Sequence, residues 1–149
     1  MTTKKKKKLE HTNRGTRVGI TEGKGRGIFA TRMFKGGELI ESAPLLIIPE
    51  KQWPFVSSTV LADYFFEVDS GEAALALGTA SLYNHSFECN ADYVTADDKI
   101  LITATRDIRR GEEITIDYGW DQYHYYEKGI ITKEDLEKAL EEDYDEEDY

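Results

Sequence analysis

The first half of the chain alternates short apolar runs with glycines and prolines. Val, Ile, Leu, Phe and Thr dominate these runs, and that composition favours β-strands. The predicted strands are residues 18–20, 27–31, 38–42 and 45–48. A turn is predicted at residues 35–37, where Lys is followed by two glycines. Pro44 and Pro49 bracket the last run, so we expect a strand that ends in a loop carrying Trp53.

The pattern becomes helical between residues 57 and 83. Apolar residues recur three and four positions apart in SSTVLADYFFEV and in EAALALGTASLY, with a break at residues 69–71. Two short helices are therefore predicted there.

Alternation returns after residue 90. Two strands are predicted within residues 93–108, around a turn at 97–98, and another within residues 112–120. Ile131 and Leu136 flank Thr132 at the spacing of a hydrophobic staple, which predicts a helix over about residues 133–142. Many short strands with few helices indicate a mainly β fold.

Length and composition indicate one folded domain with short tails. A chain of 149 residues can bury roughly 70% of its unfolded surface in a single core. Hydrophobic residues are 40% of the sequence and aromatic residues 11%, as in a globular protein.

Charge narrows the range of partners. The formal net charge is −10, from 29 acidic and 19 basic residues, so we expect no direct binding of nucleic acid and favour a basic partner. The charge is uneven, since residues 4–8 are all Lys and residues 141–149 are nearly all acidic. Solvated tails are the simplest interpretation of both runs.

Other sequence features bear on the compartment. The sequence has no apolar run of about 18 residues and no apolar segment behind its basic N-terminal residues. We therefore expect no membrane association and no secretion by a signal peptide. Cys89 is the single cysteine, which excludes a disulfide within the chain and fits a reducing compartment, cytoplasmic or nuclear.

The segment EGKGRGIF contains Gly23, Gly25 and Gly27 just before a predicted strand. Such glycines allow positive φ and a close approach of the backbone to a ligand. The spacing is not that of a dinucleotide-binding or phosphate-binding loop, and the motif taken alone favours a plain turn.

The segment YNHSFECN places Asn84, His85 and Asn90 among apolar residues, where their polar groups need partners in the protein or in a ligand. The alternative is a loop whose amides cap its own turns. A metal site does not fit, because His85 has no His, Cys or carboxylate at ligand spacing.

The segment RDIRRGEEITIDYGW is a third candidate. Ile114 and Ile116 alternate with Thr115 and Asp117, which predicts that Tyr118 lies on the apolar face with its phenol partly buried. The alternative is a core tyrosine with a satisfied hydroxyl.

Taken in order, GKGRGIFA, YNHSFECNADY and TATRDIRRGEEITIDYGW resemble the SET domain of protein lysine methyltransferases. The resemblance covers roughly residues 15–126, and the short chain is similar to minimal SET proteins of large viruses and some bacteria. It implies the SET-domain (β-clip) fold, mainly β, with several small curved sheets, short helices and a C-terminal pseudoknot. The implied organisation is a basic disordered arm at 1–13, a SET domain at 14–128, and a short C-terminal helix with an acidic tail at 129–149.

The resemblance implies a site for S-adenosylmethionine, with S-adenosylhomocysteine as product. Asn84 and His85 would meet the amino-acid and adenine parts of the cofactor, and Trp120 or Tyr123 would stack on the adenine. The full set of implied cofactor-binding residues is Lys24, Gly25, Arg26, Gly27, Tyr83, Asn84, His85, Tyr118, Trp120 and Tyr123.

The resemblance also implies a channel for the substrate lysine, lined by Tyr64, Ile116 and Tyr118. Tyr118 matches the catalytic tyrosine of the family. Tyr64 is the second implied catalytic residue and resembles the aromatic residue that closes the channel. Ile116 stands where the family often has Phe or Tyr, so its aliphatic side chain predicts room for more than one methyl group.

This sequence departs from the family at its cysteines. Many nuclear members bind zinc with a cysteine-rich segment and one Cys of the second loop, whereas Cys89 stands alone, so no zinc is expected. Aromatic residues at 120–126 would cover the site instead, and a homodimer is one arrangement that would order them.

The charge of −10 suits a basic protein substrate such as a histone tail. The alternative function is a catalytically silent SET-like module that binds basic peptides. Tyr118, Asn84 and the glycine segment are all present, and a silent module would not need all three.

Overall fold

The computed structural model describes residues 15–120 and 122–146, without the side chains of residues 123 and 143–146. The basic arm predicted at residues 1–13 and the last residues of the acidic tail lie outside the described residues. The chain divides into two compact units, the first ending at Asp117 and the second beginning at Tyr118.

Two small sheets make up the first unit. Their strand orders are β1-β2-β9-β6 and β4-β5-β3-β8-β7. The described strands are β1 (Thr16–Thr21), β2 (Gly25–Ala30), β3 (Leu39–Ile48), β4 (Phe65–Glu67), β5 (Ala73–Ala76), β6 (Asn84–His85), β7 (Ala91–Ala96), β8 (Lys99–Ala104) and β9 (Glu113–Ile116). The helices of this unit are α1 (Trp53–Val56) and the 3₁₀ helices Glu50–Gln52, Val60–Tyr64 and Ala80–Leu82. The mainly β fold with short helices is confirmed.

Strand β9 lies between two strands that precede it in the chain. It pairs with β2 in an antiparallel sense, with Ile28 opposite Ile114, and with β6 in a parallel sense, with Asn84 opposite Thr115. Ile28 and Ile114 are fully buried, so this pairing is anchored in the core. As a result, one sheet holds the glycine segment, the Asn-His segment and the strand that leads to Tyr118.

The hairpin predicted around residues 97–98 is confirmed. Strands β7 and β8 pair from Ala91 with Ala104 to Ala96 with Lys99, leaving a two-residue turn. Asp97 adopts a positive φ of 54°, which Asp tolerates better than most residues and which such turns require.

The two strands predicted at 38–42 and 45–48 form one strand, β3, that continues through Pro44. Pro44 has no backbone N–H, and it lies where pairing with β8 ends at Lys99 and pairing with β5 begins at Leu45. The missing donor therefore falls at a change of partner strands, where the sheet tolerates proline.

The two helices predicted between residues 57 and 83 are wrong. Most of this stretch forms β4, β5 and short 3₁₀ helices, because the apolar run Ala73–Ala76 pairs with β3 on one side and β4 on the other. An apolar run of only four residues has no period that separates a strand from a helix. The loop predicted at Trp53 is also wrong, since Trp53 begins the single turn α1.

The second unit contains α2 (Gln122–Glu127) and α3 (Lys133–Glu146), which pack against each other. The helix predicted from about residue 133 is present and ends four residues later than expected, at Glu146. Thr132 Oγ1 accepts a hydrogen bond from the Asp135 N–H at 3.2 Å, and Asp135 Oδ2 accepts one from the Thr132 N–H at 3.0 Å. This reciprocal cap fixes the start of α3 beside the buried Leu136.

Among the described helices, none has both the length and the apolar character that crossing a lipid bilayer requires.

Candidate functional site

The glycine segment forms the turn between β1 and β2. Gly23 and Gly25 have φ values of 80° and 73°, and a Cβ at either position would meet no described atom within 4 Å. The backbone of the turn is therefore open to approach by another group. The Lys24 ammonium donates to the carbonyl oxygen of His85 at 3.4 Å, which links this turn to the Asn-His segment.

The Asn84 side chain has a fixed orientation. Its Nδ2 donates to the carbonyl oxygen of Arg26 and to Glu113 Oε1, each at 2.9 Å. A side-chain amide has two hydrogens on nitrogen, so both donors are used within the protein. The carbonyl oxygen Oδ1 is left as the group with which Asn84 can accept a hydrogen bond from a ligand.

Glycine is required at position 27 because neighbouring side chains leave no room for a Cβ, and not because the backbone has a positive φ. A Cβ at this position would lie 2.8 Å from Asn84 Nδ2, 2.8 Å from Glu113 Oε1 and 3.0 Å from Thr21 Cγ2. The bonded pair of Asn84 and Glu113 thus packs directly over the backbone of β2. Glu113 belongs to this arrangement although we did not predict it as a site residue, and its place in the segment GEEITIDYG was the available signal.

His85 is held in a buried and neutral form. Its side chain is 2% exposed, its Nδ1 lies 3.7 Å from Asp117 Oδ1, and its ring packs edge-on against Phe87 at 4.4 Å between centroids. Burial lowers the pKa of His85, which outweighs the opposing effect of the Asp117 carboxylate, and the Lys24 ammonium lowers it further.

This pKa predicts the pH dependence of stability. The pKa of His85 in the folded protein is below its ordinary value of 6.5, so the unfolded state binds more protons as the pH falls through that value. The free energy of unfolding is expected to decrease below about pH 6.5, by at most about 1.4 kcal/mol per pH unit. Urea unfolding of the wild type and the His85→Asn variant, from about pH 7.5 to about pH 5, measures this difference. Identical pH dependence in the two proteins would contradict it.

Asn90 has a structural role. Its Nδ2 donates to the carbonyl oxygen of Glu113 at 2.8 Å, and its Oδ1 accepts from the Thr115 N–H at 2.9 Å. The side chain therefore pairs with the main chain of β9 as a neighbouring strand would. The same strand carries Ile116, one of the predicted channel residues, which is fully buried opposite His85.

Tyr83 and Tyr64 both contact the 3₁₀ helix Ala80–Leu82, Tyr83 as the residue that follows it and Tyr64 through Ser81. Tyr83 is 2% exposed, and its hydroxyl donates to Glu41 Oε1 at 2.8 Å. Burial, reinforced by the Glu41 carboxylate, raises the pKa of Tyr83, so its phenol stays protonated. Tyr64 is half-buried, and its carbonyl oxygen accepts a hydrogen bond from Ser81 Oγ at 3.3 Å.

An aromatic cluster lies at the start of the second unit. The Trp120 ring contacts Tyr118, His124 and Tyr125, at centroid distances of 4.7, 4.3 and 5.5 Å. The backbone N–H of Trp120 donates to the hydroxyl oxygen of Tyr125 at 3.1 Å. Tyr118 and Trp120 are both half-buried, and the side chain of Tyr123 lies outside the described residues.

Within the described part of the chain, no group of three or more His, Cys, Asp or Glu side chains is arranged to hold a metal ion.

Comparison with known proteins gives consistent matches. The SET domain family model matches residues 25–119, a range that includes Gly27, Asn84 and Tyr118. A crystal structure of a Plasmodium falciparum protein assigned as a histone methyltransferase has a TM-score of 0.62 at 27% identity, covering 73% of this chain and 96% of that one.

Curated relatives match over the same region. The histone-lysine N-methyltransferase of Schizosaccharomyces pombe specific for lysine 37 of histone H3 is 34% identical over 103 residues, which are 66% of this chain and 69% of that protein. The N-lysine methyltransferase KMT5A-A of Danio rerio is 32% identical over 123 residues, 70% of this chain but only 35% of that protein. The resemblance seen in the sequence is confirmed, and the chain belongs to the SET-domain family.

Proposed function

We propose that this chain transfers a methyl group from S-adenosylmethionine to the side-chain amine of a lysine in a basic protein, a histone or a histone-like protein. The observation that carries the proposal is the fixed Asn84 amide, held by Arg26 and Glu113 over the backbone of Gly27. The lysine methyltransferase relatives support the reaction, and the net charge of −10 supports a basic substrate.

The residues around Asn84 suit the amino-acid part of the cofactor. Asn84 Oδ1 is an acceptor for the protonated α-amino group, and the Lys24 ammonium is a cation for the carboxylate. The open backbone at Gly25 admits a ligand, and the neutral His85 adds no positive charge beside a cationic sulfur. Bound S-adenosylmethionine supplies an electrophilic methyl group on that sulfur.

The substrate lysine has to be aligned and neutral. Methyl transfer to an amine is an in-line displacement, so alignment of the reacting atoms accounts for most of the rate. We assign this alignment to the Tyr118 hydroxyl, which would orient the amine, while backbone carbonyls would hold the methyl group by weak C–H···O contacts. Aromatic rings suit an ammonium product, and an apolar channel lowers the pKa of the lysine that enters it.

Tritium transfer from labelled S-adenosylmethionine tests this function. Purified histones H3 and H4, two bacterial DNA-packing proteins and acidic serum albumin serve as the panel, and amino-acid analysis identifies the labelled residue. We expect methyl-lysine in at least one basic protein and none in albumin. Calorimetry with S-adenosylhomocysteine accompanies the assay, because binding without any transfer would indicate the silent peptide-binding module. Absence of both binding and transfer would contradict the proposal.

A further inference from the structure

A buried carboxylate lies near the start of β3. Glu41 is 1% exposed, yet it interrupts the otherwise apolar core face of that strand. Its Oε1 accepts hydrogen bonds from Thr79 Oγ1 and from the Tyr83 hydroxyl, both at 2.8 Å, and its Oε2 accepts one from the Thr79 N–H at 3.3 Å. A buried charge is retained where several donors satisfy it, so these three bonds account for Glu41 at this position.

The donors enclose one short segment of the chain. Thr79 caps the 3₁₀ helix Ala80–Leu82 at its start, and Tyr83 follows it at its end. Within the segment, a short 3₁₀ helix makes little regular hydrogen bonding, and the bond from the Leu82 N–H to the Thr79 carbonyl oxygen at 3.0 Å closes its turn. Gly78 lets the carboxylate approach, because a Cβ there would lie 3.2 Å from Glu41 Oε2.

This segment leads directly into β6, which is only two residues long. Asn84 and His85 pair with Thr115 and Ile116 on one side, and their backbone enters β6 from Tyr83. Two paired residues do not fix the position of a strand by themselves. The position of β6 therefore also depends on how the preceding residues are held. Glu41 belongs to the other sheet and accepts a hydrogen bond from the hydroxyl of Tyr83, the residue that precedes Asn84 in the chain.

We propose that Glu41 is a positioning residue for the cofactor-binding pair Asn84 and His85, acting through Thr79 and Tyr83. The expected effect on cofactor affinity rests on the proposed function, whereas the expected effect on the structure of residues 79–86 does not. This role of Glu41 predicts that loss of the acceptor oxygens makes residues 79–86 more mobile while the rest of the fold is unchanged. The Asn84 amide would then lose its fixed orientation.

Two substitutions at Glu41 separate hydrogen bonding from volume. Glu41→Met fills the space without an acceptor and removes all three of these hydrogen bonds. Glu41→Gln keeps the shape, since its carbonyl oxygen accepts from the Thr79 N–H and its amide hydrogens reach the two hydroxyl oxygens. Ser81→Ala is the matched control, because it removes bonds from the same 3₁₀ helix to Tyr64 and Ala76 without touching Glu41.

The experiment measures amide hydrogen exchange across the chain and S-adenosylhomocysteine affinity by calorimetry, at a temperature where each variant is folded. We expect Glu41→Met to exchange faster within residues 79–86 and to bind about tenfold or more weakly, while Glu41→Gln and Ser81→Ala stay within roughly threefold of wild type. The KM for S-adenosylmethionine should rise with little change in kcat at saturation, which a merely structural role would not produce.

Other outcomes overturn the inference. A Glu41→Met protein that melts earlier but keeps wild-type affinity and wild-type exchange in residues 79–86 would make Glu41 a structural residue only. If that variant does not fold, Thr79→Val removes one of the three bonds more gently, and it must then bind more weakly than Ser81→Ala. If the wild type itself fails to bind S-adenosylhomocysteine, the proposed function is lost, and exchange in residues 79–86 still decides whether Glu41 positions the segment.

Discussion

Replacing Tyr118 by phenylalanine is expected to reduce methyl transfer by about 100-fold or more, while S-adenosylhomocysteine affinity stays within roughly twofold of wild type. The change removes one hydroxyl and keeps the ring, whose centroid lies 4.7 Å from that of Trp120. If the hydroxyl aligns the amine and the methyl group, its loss affects the transition state and not cofactor binding. Single-turnover transfer with a saturating basic substrate, beside calorimetry, measures the two effects separately.

Tyr93→Phe is the matched control for this variant. Tyr93 lies on β7 and packs against Phe66 at 5.1 Å between ring centroids, so the same atom is removed at a position with no proposed role in catalysis. Its transfer rate should remain close to that of the wild type. Equal losses in both variants would show a general effect of removing a phenol, and an active Tyr118→Phe protein would remove Tyr118 from the catalytic assignment.

Replacing Gly27 by alanine is expected to weaken S-adenosylhomocysteine binding by about tenfold or more and to destabilise the fold by about 1–3 kcal/mol. The new methyl group would lie 2.8 Å from both Asn84 Nδ2 and Glu113 Oε1, so the hydrogen bond between these side chains cannot keep its place. Calorimetry with S-adenosylhomocysteine and urea unfolding measure the two effects.

Gly36→Ala is the control for Gly27→Ala. A Cβ at position 36 would lie 3.3 Å from the Cα of Arg106, and its three nearest atoms would all belong to Arg106, which is not a candidate site residue. We therefore expect a small loss of stability without a loss of cofactor affinity. If Gly27→Ala also binds S-adenosylhomocysteine like the wild type, the fixed Asn84 amide is not part of the cofactor site.

Local patterns predicted those elements whose period or turn chemistry is unambiguous. The hairpin β7–β8 follows from two alternating runs around Asp97 and Asp98, and the start of α3 follows from the cap formed by Thr132 and Asp135. The run Ala73–Ala76 was misassigned, because its pairing with β3, which lies much earlier in the chain, makes it a strand. A sequence pattern records which residues are apolar, but not which strands will flank them.

In the candidate site too, some features were predictable from local sequence and others depend on the tertiary fold. The segments GKGRGIFA and YNHSFECNADY carry enough of the family pattern to name Gly27, Asn84 and His85 in advance. That Gly27 is needed for the close approach of Asn84 and Glu113 depends on β9 inserting between β2 and β6. The role of Asn90 as a neighbour for the main chain of β9 depends on the same insertion.

The sequence by itself determined the family, the mainly β class and the types of side chain at the site, because those depend on local motifs and composition. Tertiary structure alone decided which hydrogen bonds these side chains make. Glu41 in β3 was visible only as a charge in an apolar run, since its donors on Thr79 and Tyr83 lie about forty residues away in the chain. Contacts of that range form only when the chain folds, and tertiary packing brings together residues that no local pattern relates.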